Sequence, residues 1–135
     1  MIDMSVNKDF ELYKLRREIQ RSGTGCRFYR PQTNGYDELD MDNLKILSSG
    51  ECEEFFGLYH EVNGHVSLSV GNQTQYRSTK VPAFLIPWED IQSLELRTND
   101  IAEINGKQFI ITKVGNIQEW NLIADIYMEV QDIEL

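Results

Sequence analysis

The sequence predicts a mainly β domain with one N-terminal helix, folded as a small antiparallel β-barrel or sandwich. Three observations carry that reading. Asn105-Gly106 separates two β-rich runs, and this dipeptide suits a two-residue hairpin turn in which both residues take positive φ. Leu122 to Val130 alternates, with Leu122, Ala124, Ile126, Met128 and Val130 on one face and Ile123, Asp125, Tyr127 and Glu129 on the other. Only one stretch, near the N-terminus, has convincing helical periodicity.

That helix is expected over about residues 7–22. Asn7 is a candidate N-cap, Asp9 and Glu11 lie in the first turn, and Arg16, Arg17 and Arg21 gather towards the end. This polarity complements the helix dipole, and Ser22-Gly23 supplies a stop. Leu12, Leu15 and Ile19 share one face and should pack on the sheet. Phe10 and Tyr13 lie nearly opposite, either covering a sheet edge of the same subunit or meeting another chain.

A short strand follows from Cys26 to Pro31, then a turn at Asn34-Gly35. Asp37, Glu38, Asp40 and Asp42 form an acidic loop without the glycine and distal glutamate that a calcium loop requires. Lys45 to Leu47 reads as a short strand closed by Ser48-Ser49-Gly50. Phe55–Val62 and His65–Val70 flank Asn63-Gly64 and predict a second hairpin. Residues 71–81 break the apolar pattern and predict a long polar loop bearing Tyr76, Arg77 and Lys80. Residues 82–87 form a buried strand bracketed by prolines, and alternation between Ile91 and Leu96 suggests another strand. In the 101–114 hairpin, a two-residue turn sets Ile104 opposite Lys107, Ala102 opposite Phe109 and Ile101 opposite Ile110. With the strand from Leu122 it should make a three-stranded meander.

At 135 residues the chain is expected to be one domain, 1–135, with a single core. Its 22 acidic against 13 basic residues give a net charge of −9, which argues against a protein whose task is gripping nucleic-acid phosphates. The opening residues show no basic-then-apolar pattern, so no secretory leader is expected, and no apolar run approaches the roughly 20 residues that span a bilayer. The two cysteines, Cys26 and Cys52, make no disulfide framework and are expected to be buried or inert thiols in a reducing cytoplasm. His60 and His65 have one of the spacings found in zinc sites but no cysteine pair to match them, so no metal is expected. No nucleophile motif, phosphate loop or paired general base emerges. The expectation is a non-enzyme with no catalytic residues and no cofactor.

Tyr13–Thr24 running into Cys26–Arg30 resembles the opening of head-closure, or stopper, proteins of tailed bacteriophages and PBSX-type prophages. Asn99–Thr112 resembles a recurrent segment of head–tail joining proteins, and Trp120–Val130 resembles the family's closing strand. The likeness touches both ends of the chain; the middle follows it only in the order of elements. It implies a barrel-like virion subunit assembled in the bacterial cytoplasm into a neck ring of six or twelve copies. The implied partners are the portal or adaptor protein and a tail-terminator or tail-tube protein, with DNA passing through without specific binding and no membrane. Phe10, Tyr13, Arg16 and Arg17 would then face a neighbouring subunit or the adaptor. The 71–81 loop with Tyr76 would reach either into the lumen or, as favoured here, across to a neighbour, where Arg77 and Lys80 could meet its acidic loop Asp37–Asp42. The alternatives are an adaptor or tail-terminator of the same neck, an oligonucleotide-binding barrel, and an intracellular binding module or inhibitor. The oligonucleotide-binding barrel would need a basic groove with stacked aromatics.

Overall fold

The computed structural model describes residues 4–33, 39–70, 73–116 and 122–130. Helix α1 (Met4–Ser22) leads into β1 (Thr24–Thr33), β2 (Leu39–Ile46), β3 (Phe55–Val70) and β4 (Gln73–Pro87). A short helix α2 (Trp88–Ile91) and a 3-10 turn (Gln92–Leu94) then precede β5 (Ile101–Ile104), β6 (Lys107–Asn116) and β7 (Ile123–Val130). All strand pairs are antiparallel, in the order β2-β1-β3-β4-β7-β6-β5, and β1 also pairs with β5. That last pairing closes six strands into a barrel and leaves β2 outside it as an extra strand.

Closure follows from β1 being paired on both edges. Cys26 lies between Phe55 of β3 and Ile104 of β5, and Tyr29 lies between Ile46 of β2 and Ile101 of β5. β3 and β2 therefore occupy successive stretches of one edge of β1, while β5 takes the other. Phe28, Phe84, Ile86, Ala102, Ile111, Ala124, Ile126 and Met128 point inward and are fully buried. Ile91 and Leu94, from α2 and the 3-10 turn, join the same cluster from one end of the barrel. Gly57 is where backbone must come close: a Cβ there would lie 2.5 Å from the Phe84 ring and 2.4 Å from the Leu85 carbonyl oxygen.

The meander at the end of the chain has the expected register, with Ile101, Ala102 and Ile104 opposite Ile110, Phe109 and Lys107. Asn105 and Gly106 have φ of 54° and 78°, the left-handed values that a two-residue I′ turn requires. Ala124, Ile126 and Met128 form the buried face of β7. Val130, placed on that face by alternation, lies at the barrel rim and is exposed, whereas Asp125 on the mixed face is buried.

Several expectations give way. Helix α1 begins at Met4, so Asn7 lies within it and Asp9 and Glu11 fall beyond the first turn. Asn63-Gly64 is no turn: β3 runs through it, with Asn63 opposite Lys80 and Gly64 opposite Thr79. The long polar loop is likewise replaced by strand, because residues 73–81 form the matching half of one long hairpin. Cross-strand pairing satisfies that backbone without any apolar period. Residues 39–42 of the acidic segment belong to β2, while Asp37 and Glu38 lie outside the described residues. Ile91 and Leu94 are both buried although three apart; that spacing fits a helical turn and would place them on opposite faces of a strand.

Within the 82–87 segment, Ala83 to Leu85 are paired on both sides, with β3 and β7; Pro82 meets β3 only, and Ile86 and Pro87 meet β7 only. Beyond Ala83, β4 has only β3 for company. Ten rungs, from Glu61–Pro82 to Val70–Gln73, thus form a two-stranded arm leaving the barrel. At roughly 3.3 Å per residue the arm is about 33 Å long.

Substitution of Gly106 by Val should destabilise the fold by about 1–2 kcal/mol, because a β-branched residue is strained at a positive φ. A urea-unfolding midpoint equal to that of the unsubstituted protein would contradict the turn geometry.

Candidate functional site

The residues expected to meet a partner fall in two places, the outer side of α1 and the arm. Leu15 is buried beneath α1 and Leu12 and Ile19 are half-buried, so the helix packs through the face its periodicity marks. Phe10 and Tyr13 are 58% and 61% exposed, so neither covers an edge of its own subunit. Lys14 stands 4.9 Å over the Phe10 ring and pairs with Glu11 at 2.9 Å, which leaves the aromatic face framed by exposed charge.

Arg16 is committed within the chain. Its guanidinium donates to both carboxylate oxygens of Asp90, at 3.0 and 3.4 Å, and to Glu89. The hydrogen bond to Asp90 raises its already high pKa, partly opposed by burial and assisted by Glu89. Arg16 thus clamps α1 to α2, while its side chain keeps 40% of its surface exposed. Arg17 is exposed. Between the clamp and the segment before β3 lies a groove of about 500 Å³, where Ile19 and the exposed Phe56 face Glu54 and Cys52.

The arm carries the other expected residues. Tyr76 and Arg77 stand opposite Ser67 and Val66, and Lys80 stands opposite Asn63. Lys80 is exposed and lies 3.9 Å from Glu61 of β3, an exposed pair of the kind that adds little stability. Asp40 is paired with Gln32 of β1, and Asp42 lies further along β2. Within one subunit, therefore, the basic arm and the acidic strand belong to separate ribbons.

Two polar clusters have no signature in the sequence. Arg30 donates from Nε and Nη2 to the two oxygens of Asp100, both at 3.0 Å, and the carboxylate also accepts the Arg97 N–H at 3.0 Å. Nη2 further reaches the carbonyls of Glu95 and Leu94, at 3.1 and 3.4 Å. His60 reaches over Ala83 to Asp125, with Nε2 2.9 Å from Oδ1. Tyr127 sits beside this pair, and burial followed by the neighbouring Asp125 raises its phenol pKa. His65 is five residues along the same strand from His60, so the two do not meet across a turn. No metal-binding cluster of three His, Cys, Asp or Glu residues occurs among the described residues.

Burial, with Glu103 and Glu54 nearby, pushes the Cys26 thiol up and keeps it protonated. Cys52 is exposed, and its thiol donates to the Glu54 carbonyl. Among the described residues no helix is long and apolar enough to cross a membrane.

No family model matches the chain, and no curated protein matches it. Among solved structures it is similar to the phage-like element PBSX protein xkdH from Bacillus subtilis, at 11% identity. The match covers 80% of this chain and 94% of that one, with a TM-score of 0.39. A superposition that loose assigns no function.

Replacing Phe10 and Tyr13 together by Ser should move stability by no more than about 0.5 kcal/mol each, the usual range for exposed positions, while weakening self-association. Thermal melts with sedimentation of the same samples check both. A large fall in melting temperature would place the two rings in the subunit's own core.

Proposed function

We propose that the chain is a structural subunit of a tailed-phage neck, one of several identical copies forming a ring between portal or adaptor and tail. The observation that carries this reading is the arm. Among the described residues, β4 has no partner on its outer edge from Gln73 to Pro82, and β3 has none on its outer edge beyond Gly57. A lone two-stranded ribbon is marginal in water. Unpaired edges are also templates for another chain. A barrel that closes its own sheet yet extends such a ribbon fits a subunit whose structure is completed by neighbours.

Three further features support the reading. The segments 13–30, 99–112 and 120–130 resemble head-closure proteins and supply the setting. The exposed Phe10 and Tyr13 offer a second contact region away from the core. The net charge of −9 suits a conduit that DNA crosses without adhering, since like charge weakens phosphate binding. The ring would join head to tail and help to retain the packaged DNA.

Sedimentation velocity and negative-stain images of the purified chain, taken over rising concentration, test the proposal. The expected result is a cooperative shift from monomer to rings with a central opening. A monomer at every concentration that instead retards single-stranded DNA would replace the neck reading by an oligonucleotide-binding one.

A further inference from the structure

The arm is one of two ribbons, and they leave the barrel at opposite ends. β1 is antiparallel to β3, with Thr24 opposite Gly57 and Cys26 opposite Phe55, so the start of β1 lies towards the arm. The far end of β1, from Tyr29 to Thr33, extends away from it and pairs there with β2, up to the rung Thr33–Leu39. β2 has β1 on one side only, and its outer edge is unpaired among the described residues. One end of the subunit therefore offers free edges of β4 and β3, and the other end a free β2 edge.

The two edges differ in charge. Over residues 73–82 the arm's outer strand contains Arg77 and Lys80 and no acid. The β2 strand contains Asp40 and Asp42 against Lys45, and Asp37 and Glu38 lie just before it in the chain.

We propose that the outer edge of β4 in one copy adds to the outer edge of β2 in the next, making a continuous antiparallel or parallel sheet across the subunit boundary. The proposal rests on the ring reading and names the contact that builds the ring. Strand addition supplies backbone hydrogen bonds to two edges that otherwise face water. The opposite charges select the β4–β2 combination over β4–β4 or β2–β2, which would set like charges together, and over β3–β2, since β3 beyond Gly57 carries Glu61 and no Lys or Arg. Because the two edges lie on different ends of one subunit, the contact is head-to-tail. Such a contact closes into a ring when its rotation closes.

Charge reversal tests this. Variant A carries Arg77→Glu and Lys80→Glu on the arm; variant B carries Asp40→Lys and Asp42→Lys on β2. Each alone sets like charges at the contact and should associate at least tenfold more weakly than the unsubstituted protein at low salt. An equimolar mixture of A and B restores opposite charges at every boundary and should recover assemblies of the original mass. Full assembly by A or B alone, or a loss that mixing does not repair, overturns the β4–β2 contact while leaving a ring built in another way. An unsubstituted chain that never assembles overturns both readings. A second variant, with residues 64–79 excised and Asn63 joined to Lys80 by Asn-Gly, guards against misfolding of A or B. It should melt like the intact barrel and remain monomeric, and retained rings would equally overturn the proposal.

Discussion

Closure of the barrel depends on the short ladder between Cys26–Tyr29 and Ile101–Ile104, and the Arg30–Asp100 pair sits on the next rung of that ladder. Asp100 is almost wholly buried, yet each of its oxygens is matched by a donor from Arg30 or from the Arg97 backbone. A carboxylate so enclosed is tolerable only when paired and hydrogen-bonded, and loss of its partner costs about 3–5 kcal/mol in comparable buried pairs. The same guanidinium caps the 3-10 turn through the Glu95 and Leu94 carbonyls. One side chain thus fastens β1 both to β5 and to the segment that plugs the barrel end. Asp100 extends the arrangement through its own backbone, whose carbonyl accepts the Ile111 N–H at 2.8 Å.

Once β1 is held against β5, the remaining strand edges are displaced outward. The six barrel strands have neighbours on both sides within the closed part, and among the described residues the longest unpaired edges lie on β2 and on the outer reaches of β3 and β4. Closure protects a small β protein from promiscuous edge pairing. Here it also leaves the long unpaired edges on the two ribbons. Helix α1 is locked to the plugged end by Arg16 and its two acidic partners, so Phe10 and Tyr13 are presented from a fixed support rather than from a loose terminus.

Much of the fold was legible where chemistry is local. The Asn105-Gly106 turn fixed the β5–β6 register because only a few residue types accept its backbone angles, and alternation alone marked the inward face of β7. The same rule misled at Asn63-Gly64, where a favourable turn dipeptide lies inside a strand whose partner, 73–82, is too polar to announce itself. Ile91–Leu96 misled by alternation in a stretch too short to separate strand from helix. At the surface, Phe10 and Tyr13 could be read from helical spacing, whereas Arg16 could not be assigned to Asp90 from seventy-four positions away. Arg30–Asp100 and His60–Asp125 are long-range pairs of the same kind, visible only once the strands are in register.

Amide hydrogen exchange measured along the chain tests the proposal that a second copy completes the arm. In dilute monomer the barrel strands around Phe84, Ile111 and Ile126 should exchange slowly, while residues 61–82 should exchange fast, since exposed ribbons open with little cost. If the protein assembles as proposed, strong new protection is expected at higher concentration on β4 from Gln73 to Pro82 and on β2 from Leu39 to Ile46. An arm already as protected as the barrel in the monomer, or one that gains nothing on assembly, would contradict the proposal.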